Sequence, residues 1–339
     1  MKRIVFFVLM LFVSVTAKSQ EGKSAFDFLG LPVSSHANSL GGNNISIVEE
    51  DLSMVRYNPA LLGPEMDMII DLNYMRYMAG TNSAGAMFAK AAGDRAAWSA
   101  GLQYVGYGNL TEADAQGNIL GTFSAKDMVI NGGYTHDFGA RWRGGFQAKL
   151  IYSAYADYSS LALAVDVGLN YYNPNKEFSM SLVFKNLGGQ LKRFTETHER
   201  LPWDIQFGFS KTMRSVPIRW SVTVDHLSKW HLPYTKPRTD EFSGGELLET
   251  KDTFFSNLFR HMIFGVEYIP SRNFYIALGY NYKTHTDMLR YGRNFLSGFT
   301  FGTGVQVKMV GLGVSVANRH AKGTMFMFNI NMRLNDFKR

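Results

Sequence analysis

Hydrophobic and polar side chains alternate with a period of two residues over most of the chain, from about residue 67 onwards. In one such run, Ile218, Trp220 and Val222 alternate with Arg219 and Ser221. Alternation of this kind predicts β-strands that have one apolar face and one polar face.

Fourteen runs carry the pattern, and most match the roughly 10 residues of a tilted strand that crosses a bilayer. Their approximate cores are 67–75, 84–91, 96–106, 122–137, 142–155, 160–172, 177–187, 203–211, 217–227, 259–269, 273–283, 297–308, 310–318 and 324–335. The second run has the weakest signal because most of its residues are small. The fourth is long enough to extend beyond a bilayer or to contain a bend.

The connections between these strands fall into two classes. Most links after even-numbered strands are short, such as Gly93-Asp94, whereas most links after odd-numbered strands are longer, including 107–121, 188–202, 228–258 and 284–296. The links after strands 1 and 5 are exceptions, because they are of modest length. Short turns at one end and long loops at the other are typical of outer-membrane barrels, and a soluble β-sandwich need not show them. The sequence therefore predicts an all-β fold, a 14-stranded antiparallel transmembrane β-barrel over residues 67–339.

The polar face of the strands is expected to line the lumen of this barrel. A lysine that faced lipid at the middle of the bilayer would cost about 2–4 kcal/mol, so the sense of the alternation is fixed. Lys149, Asp166, Asp225 and Glu267 are examples of the predicted lumenal residues.

Residues 1–19 have the features of a secretory signal peptide. Lys2 and Arg3 precede an apolar run over 4–13, and small residues then suit cleavage near Ser19 and Gln20. The apolar run is too short for a spanning helix, which needs about 20 residues. Loss of residues 1–19 lowers the formal net charge from +7 to +4, which is weak evidence for a polyanionic partner. We predict that the mature chain crosses the outer membrane many times.

Composition agrees with an exported barrel and narrows the possible chemistry. The chain has no cysteine, 19% charged residues and 14% aromatic residues. Disulfides, thiolate metal sites and a cysteine nucleophile are therefore excluded. The sequence also lacks a His-Glu-x-x-His motif, a Gly-x-Ser-x-Gly elbow and a P-loop. We expect a protein that is not an enzyme, with no catalytic residues, no metal site and no cofactor.

Residues 20–66 do not alternate. They contain close glycines at Gly41 and Gly42, and an Asn58-Pro59-Ala60 sequence follows shortly before the first strand. A barrel of fourteen strands encloses more volume than its own side chains fill. We therefore predict that residues 20–66 fold back as a plug, or hatch, inside the barrel; a periplasmic tail is the alternative.

The order of Ser39-Leu40-Gly41-Gly42, Asn58-Pro59-Ala60-Leu61-Leu62 and then strands resembles that of the FadL-like outer-membrane barrels. Within them, the segment from Phe28 to Leu62 is most similar to the PorQ-type barrels of the type IX secretion system of Bacteroidetes, and less so to the related PorV barrels. The resemblance implies a barrel that anchors a surface attachment complex, with PorZ and the PorU–PorV complex as partners, for linkage of cargo to lipopolysaccharide.

The same resemblance leaves a second function open. FadL-like barrels can pass hydrophobic small molecules through a gap beside a kinked strand, and Gly106 and Gly108 are placed to permit such a kink in the third strand.

Two long loops offer candidate contact residues. The 228–258 loop is rich in aromatic and apolar side chains that are candidates to bind a partner protein: Trp230, Leu232, Tyr234, Phe242, Phe254 and Phe255. The alternative is a loop that packs on itself. Lys192, Arg193 and Arg200 in the 188–202 loop are candidates to contact lipopolysaccharide phosphates, or are simply solvated.

Overall fold

Fourteen antiparallel strands form a closed barrel in the computed structural model, which describes residues 25–114, 116–232, 234–237, 247–249, 253–288, 295–320 and 323–335. The barrel strands are β1 (Ile69–Arg76), β2 (Asn82–Ala91), β3 (Ala96–Ala113), β4 (Ile119–Asp137), β5 (Trp142–Tyr155), β6 (Tyr158–Asn173), β7 (Phe178–Lys192), β8 (Asp204–Thr212), β9 (Ile218–Val224), β12 (Met262–Ser271), β13 (Phe274–Asn281), β14 (Phe299–Val307), β15 (Val310–His320) and β16 (Gly323–Arg333). A separate hairpin of β10 (Thr235–Pro237) and β11 (Leu247–Glu249) lies in the connection between β9 and β12.

The first and last strands close the barrel. β1 pairs with β16 from Ile69 opposite Arg333 to Arg76 opposite Phe326, and every other barrel strand pairs with its neighbours along the chain. The predicted fold class is confirmed, because each of the fourteen predicted runs overlaps one of these strands.

The period-two pattern separates an inner face from an outer face. On β4, Asp127 and Asn131 are buried toward the lumen, whereas Met128 and Ile130 are 39% and 53% exposed on the outside. The same outward exposure of large apolar side chains recurs around the barrel. An apolar outer surface of this extent suits contact with lipid hydrocarbon.

The structure corrects the predicted loop over 107–121. β3 and β4 continue as a paired hairpin beyond the wall of the barrel, as far as Ala113 opposite Ile119. The register between them shifts between Gly106 and Asn109. Gly108 lies at this shift with a φ of +73°, a backbone conformation that favours glycine.

The other long connections also contain regular structure. The chain between β9 and β12 includes helix α2 (Phe254–Arg260), and the chain after β13 begins with helix α3 (Tyr282–Asp287). Neither of these, nor any other helix in the described part of the chain, is long and apolar enough to cross a membrane. We call the end of the barrel that carries these connections the long-loop end.

Residues 25–66, the lumenal segment, lie inside the barrel. The segment consists of short 3₁₀ turns at Asp27–Gly30, Leu52–Arg56, Pro59–Leu61 and Pro64–Met66, and of helix α1 (Ser35–Ser39). Helix α1 contacts β13 to β16, whereas the turn Pro59–Leu61 contacts β4 to β6 on another side of the wall. Residues 1–24, which include the predicted signal peptide, are outside the described residues.

Candidate functional site

The lumenal segment begins near the long-loop end and runs along the inside of the wall. The backbone N–H of Ala25 donates to Glu199 in the connection between β7 and β8 (2.7 Å), and the hydroxyl of Tyr155 donates to the Ala25 carbonyl (3.2 Å). Phe26 and Phe28 pack into an apolar cluster with wall residues of β3 to β6. These contacts hold the start of the lumenal segment near the long-loop end of the barrel.

The Asn58-Pro59-Ala60 sequence forms a capped turn against β5 and β6. The side-chain oxygen of Asn58 accepts from the backbone N–H of Ala60 (2.9 Å), and its amide donates to the carbonyl of Ile45 (2.8 Å). Proline suits the position after the cap because its φ is already helical and it has no N–H to satisfy. A Cβ on wall residue Gly168 would collide with the Asn58 side chain. Asn58 therefore fixes the turn and also sets how closely the turn approaches the wall.

Gly41 and Gly42 turn the chain after helix α1. Both have positive φ, +95° and +96°, a conformation that costs glycine little. The N–H of Gly41 donates to Thr300 on β14 (2.8 Å), and the amide of Asn281 donates to the Gly41 carbonyl (3.2 Å). A Cβ on Gly42 would collide with the guanidinium of Arg319. The two glycines thus allow a close turn beside a lumenal cation.

A buried charge cluster joins the lumenal segment to the barrel wall. His36 lies 2.6 Å from Glu267 on β12 and 3.0 Å from Asp51. Arg219 on β9 donates to Glu267 and to Glu49, both at 2.6 Å. Burial would lower the pKa of His36, but the carboxylates of Glu267, Asp51 and Glu49 outweigh it and raise that pKa to about 10. His36 is therefore a cation at neutral pH and donates from both ring nitrogens.

A cavity of about 1760 Å³, the lumenal chamber, lies between the segment, the wall and the connections of the long-loop end. Much of its lining is apolar: Phe28, Leu29, Leu31, Val105, Val129, Leu201, Leu232 and Ile263. Leu232 is therefore not an exposed contact of the 228–258 loop, since it is only 1% exposed and faces this chamber.

The lining also presents buried hydrogen-bond donors. Arg56 donates to Gln103 through Nη1 (2.8 Å), but its Nε and Nη2 atoms have no partner among the described residues. The same holds for the side-chain nitrogens of Asn131 and Gln147. Arg56, Asn131 and Gln147 are 8%, 6% and 2% exposed. Buried groups are normally paired, so these donors mark a polar site in the chamber.

Two lysines and a further arginine also line the chamber. Lys149 lies directly opposite Asn131 in the pairing of β4 with β5 and forms an ion pair with Asp166 (2.5 Å). Lys185 lies 5.2 Å from the ring centroid of Tyr57 and has no ion pair within the described part of the chain. Arg319 also lines the chamber. The carboxylates of Asp204 and Asp225 line the same chamber and offset part of this positive charge.

The sequence predicted only some of the residues that line this chamber. Alternation predicted Lys149 and Asp166 as lumenal, because each is a charged residue inside an apolar-alternating strand. Arg56 and Lys185 gave no comparable signal, since Arg56 lies in the irregular segment and Lys185 lies at a bulge where the β6–β7 register shifts. Among the described residues, no three His, Asp or Glu side chains are grouped as metal ligands.

The structure brings four of the predicted loop contacts, Trp230, Tyr234, Phe254 and Phe255, together at helix α2. Trp230 packs on His261 and Phe254, and it is 47% exposed. Tyr234 is half-buried over the guanidinium of Arg260 (4.6 Å). Phe254 and Phe255 are 63% and 70% exposed, and Phe242 is outside the described residues.

The three predicted basic contacts lie near the ends of β7 and β8. Lys192 and Arg193 are exposed, and they donate to Ser159 (2.7 Å) and to the carbonyl of Glu196 (3.1 Å). Arg200 is exposed at the mouth of the lumenal chamber. Arg200 therefore differs from Lys192 and Arg193 in lying at the mouth of the lumenal chamber.

Comparison with known proteins shows similarity at the level of the fold. No protein-family model and no curated protein sequence matches the chain. Similar solved structures include the Pseudomonas putida toluene transporter TodX, with a TM-score of 0.54, 11% sequence identity and coverage of 89% of this chain and 96% of that chain.

Two further solved structures have a similar fold. The CymD monoaromatic hydrocarbon channel has a TM-score of 0.51 at 9% identity, covering 91% of this chain and 97% of that chain. A FadL homologue from Pseudomonas aeruginosa has a TM-score of 0.50 at 9% identity, covering 89% and 98%. The resemblance to FadL-like barrels is thus supported at the level of the fold, and the narrower resemblance to PorQ-type barrels stays a prediction.

Proposed function

We propose that the protein is an outer-membrane channel that binds and passes small, largely hydrophobic molecules bearing a hydrogen-bond acceptor. The observation that carries this proposal is the lumenal chamber, whose lining combines apolar side chains with buried donors that have no partner among the described residues. The similar folds of a toluene transporter and of a monoaromatic hydrocarbon channel also favour transport.

The chamber has the composition of a small-molecule site. Such sites are mostly apolar with a few polar groups that fix orientation. A ligand oxygen beside Arg56, Asn131 and Gln147 would satisfy donors whose desolvation otherwise costs about 1–3 kcal/mol each. The two guanidinium nitrogens of Arg56 that have no partner among the described residues favour a carboxylate over a neutral carbonyl.

Passage requires movement, because the described state offers no side opening next to β3. β2 and β3 pair without a register shift from Asn82 opposite Gly106 to Ala91 opposite Ala97. The irregularity at Gly106 to Asn109 faces β4 instead. We infer that the lumenal segment acts as the plug and that its displacement opens the path toward the periplasm.

Binding of 1-naphthoate and of naphthalene to the purified protein in nanodiscs, measured by calorimetry, tests the proposal. We expect 1-naphthoate to bind more tightly, and Arg56→Met to weaken it roughly tenfold or more, as loss of a charge-assisted hydrogen bond would. Arg272→Met is the matched control, because Arg272 is exposed in the turn between β12 and β13. Equal binding of both compounds would limit the proposal to hydrocarbon transport, and no binding of either would refute it.

The second candidate function is the attachment scaffold that the PorQ-type resemblance implies. Its support is the similarity of residues 28–62 and the exposed aromatic and basic side chains at the long-loop end, including Trp230, Lys192 and Arg193. PorZ, PorU–PorV and lipopolysaccharide would be its partners. A pull-down from native outer membranes in gentle detergent tests it: secretion components should copurify, and deletion of residues 235–250 should reduce their recovery.

A further inference from the structure

Helix α2 has its polar side chains inside and its aromatic side chains outside. Asn257 and Arg260 are 3% and 1% exposed, whereas Phe254, Phe255 and Phe259 are 63%, 70% and 44% exposed. A surface helix in water shows the opposite arrangement.

Specific contacts hold the polar side in place. Asn257 accepts from the N–H of Leu232 (3.1 Å) and donates to the carbonyl of Trp230. Arg260 pairs with Asp287 (2.8 Å) and donates to Thr286, both in helix α3. The helix therefore cannot roll to bury its phenylalanines without breaking the ion pair that buried Arg260 forms with Asp287.

The exposed side of the helix continues the outer face of the barrel. The ring of Phe259 lies 6.5 Å from the ring of Phe264 on β12 and 6.0 Å from that of Tyr282. Phe264 points outward, because its neighbour Ile263 is buried inside the barrel. On the adjacent strand β13, Ile276 and Leu278 are 50% and 41% exposed on the same face. Phe259 thus extends a surface that the wall already presents to lipid.

We propose that helix α2 is a membrane-interface element, with Phe254, Phe255 and Phe259 seated against the lipids of the outer leaflet. The inverted burial pattern is the one that the barrel strands themselves show, and aromatic side chains favour the boundary between hydrocarbon and water. Contact with lipid, rather than with a docked protein, accounts for the continuity between Phe259 and the outward face of β12. The helix would fix the connection between β9 and β12 at a set height above the chamber.

The absence of cysteine allows a direct test by spin labelling. Phe255→Cys, labelled with a nitroxide in lipid nanodiscs, is compared with Leu278→Cys on the outer wall and Gln116→Cys at the tip of the β3–β4 hairpin. Collision rates with oxygen, which concentrates in lipid, and with a water-soluble nickel chelate then report the surroundings of each label.

We expect the label at position 255 to resemble that at 278, with high oxygen and low nickel accessibility. A label at 255 that resembles that at 116 in nanodiscs overturns the proposal. If the label at position 255 is exposed to water in nanodiscs and becomes protected when native outer-membrane extract is added, the surface belongs to a docked protein instead. Folding of each variant is checked by its heat-modifiable migration, so a failed variant is replaced by the same change at Phe259.

Discussion

The ring nitrogen Nε2 of His36 lies 2.6 Å from the carboxylate of Glu267, and both side chains are about 1% exposed. His36 belongs to the lumenal segment, whereas Glu267 belongs to barrel strand β12. The ion pair therefore joins two parts of the chain that are 231 residues apart, and Arg219 completes it from β9. Because breaking a buried pair leaves an uncompensated charge, this contact holds the segment in the closed arrangement.

The contribution of His36 to stability should fall at high pH. Its pKa is about 10 in the folded chain against 6.5 for an ordinary histidine. A raised pKa means that the folded state binds the proton more tightly, so the stabilisation is fully present below pH 6.5 and is lost as pH rises through 10. The charged groups that face His36 are Glu49, Asp51, Glu267 and, through Glu267, Arg219, and the ring of Tyr275 stacks on that of His36 (4.3 Å).

Thermal unfolding in detergent between pH 6 and pH 10.5 measures this effect. We expect the wild-type protein to lose stability across that range, and His36→Gln to be less stable by about 3 kcal/mol at pH 6 with a flatter pH profile. Parallel profiles for the two proteins would show that His36 is not the titrating group.

A disulfide between the lumenal segment and the wall should block passage. The Cβ of Ser35 lies 3.7 Å from the position of a Cβ on Gly313 of β15, within the range of about 3.5–4.5 Å for disulfides. In liposomes that contain Ser35→Cys/Gly313→Cys, we expect uptake of 1-naphthoate to stop on oxidation and to return with a reductant. The two single variants are the controls. Undiminished uptake by the oxidised double variant would mean that the segment need not leave the wall at this point.

Two glycines of the barrel wall should respond differently to alanine. A Cβ on Gly168 would collide with the side chain of Asn58, whereas a Cβ on Gly189 would have no atom within 4 Å. We expect Gly168→Ala to destabilise the closed arrangement by about 1–3 kcal/mol, as overpacking does, and Gly189→Ala to change it little. Hydrogen exchange of residues 55–62 reports the difference; similar exchange in both variants would contradict it.

Asn58 should tolerate neither alanine nor aspartate. Alanine removes the cap on Ala60, worth about 1 kcal/mol, and also leaves the carbonyl of Ile45 without its donor. Aspartate keeps the cap but cannot donate to Ile45, and it buries a charge at a position that is 0% exposed. Protease cleavage of the lumenal segment should therefore increase in both variants, and cleavage unchanged in Asn58→Asp would show that the donated bond is dispensable.

Period-two alternation was sufficient to locate all fourteen strands because each wall strand meets lipid on one side and the lumen on the other. The alternation ends where the strands no longer separate lipid from the lumen. Beyond Gly108, most side chains on both faces of the β3–β4 hairpin are exposed, so residues 109–113 and 119–121 do not alternate and resemble a loop. The inverted pattern of helix α2 was hidden for a related reason, since its seven residues are too few for a helical period to stand out.

The sequence by itself determined the strands, the antiparallel order that short turns impose, and the presence of an irregular segment before the first strand. Only the tertiary structure decided which residues of that segment meet which part of the wall. His36 and Glu267, or Arg56 and Gln103, come together because closing the barrel brings fourteen inner faces around one space. Contacts between residues so far apart in the chain depend on this enclosure, and no local pattern of side chains encodes it.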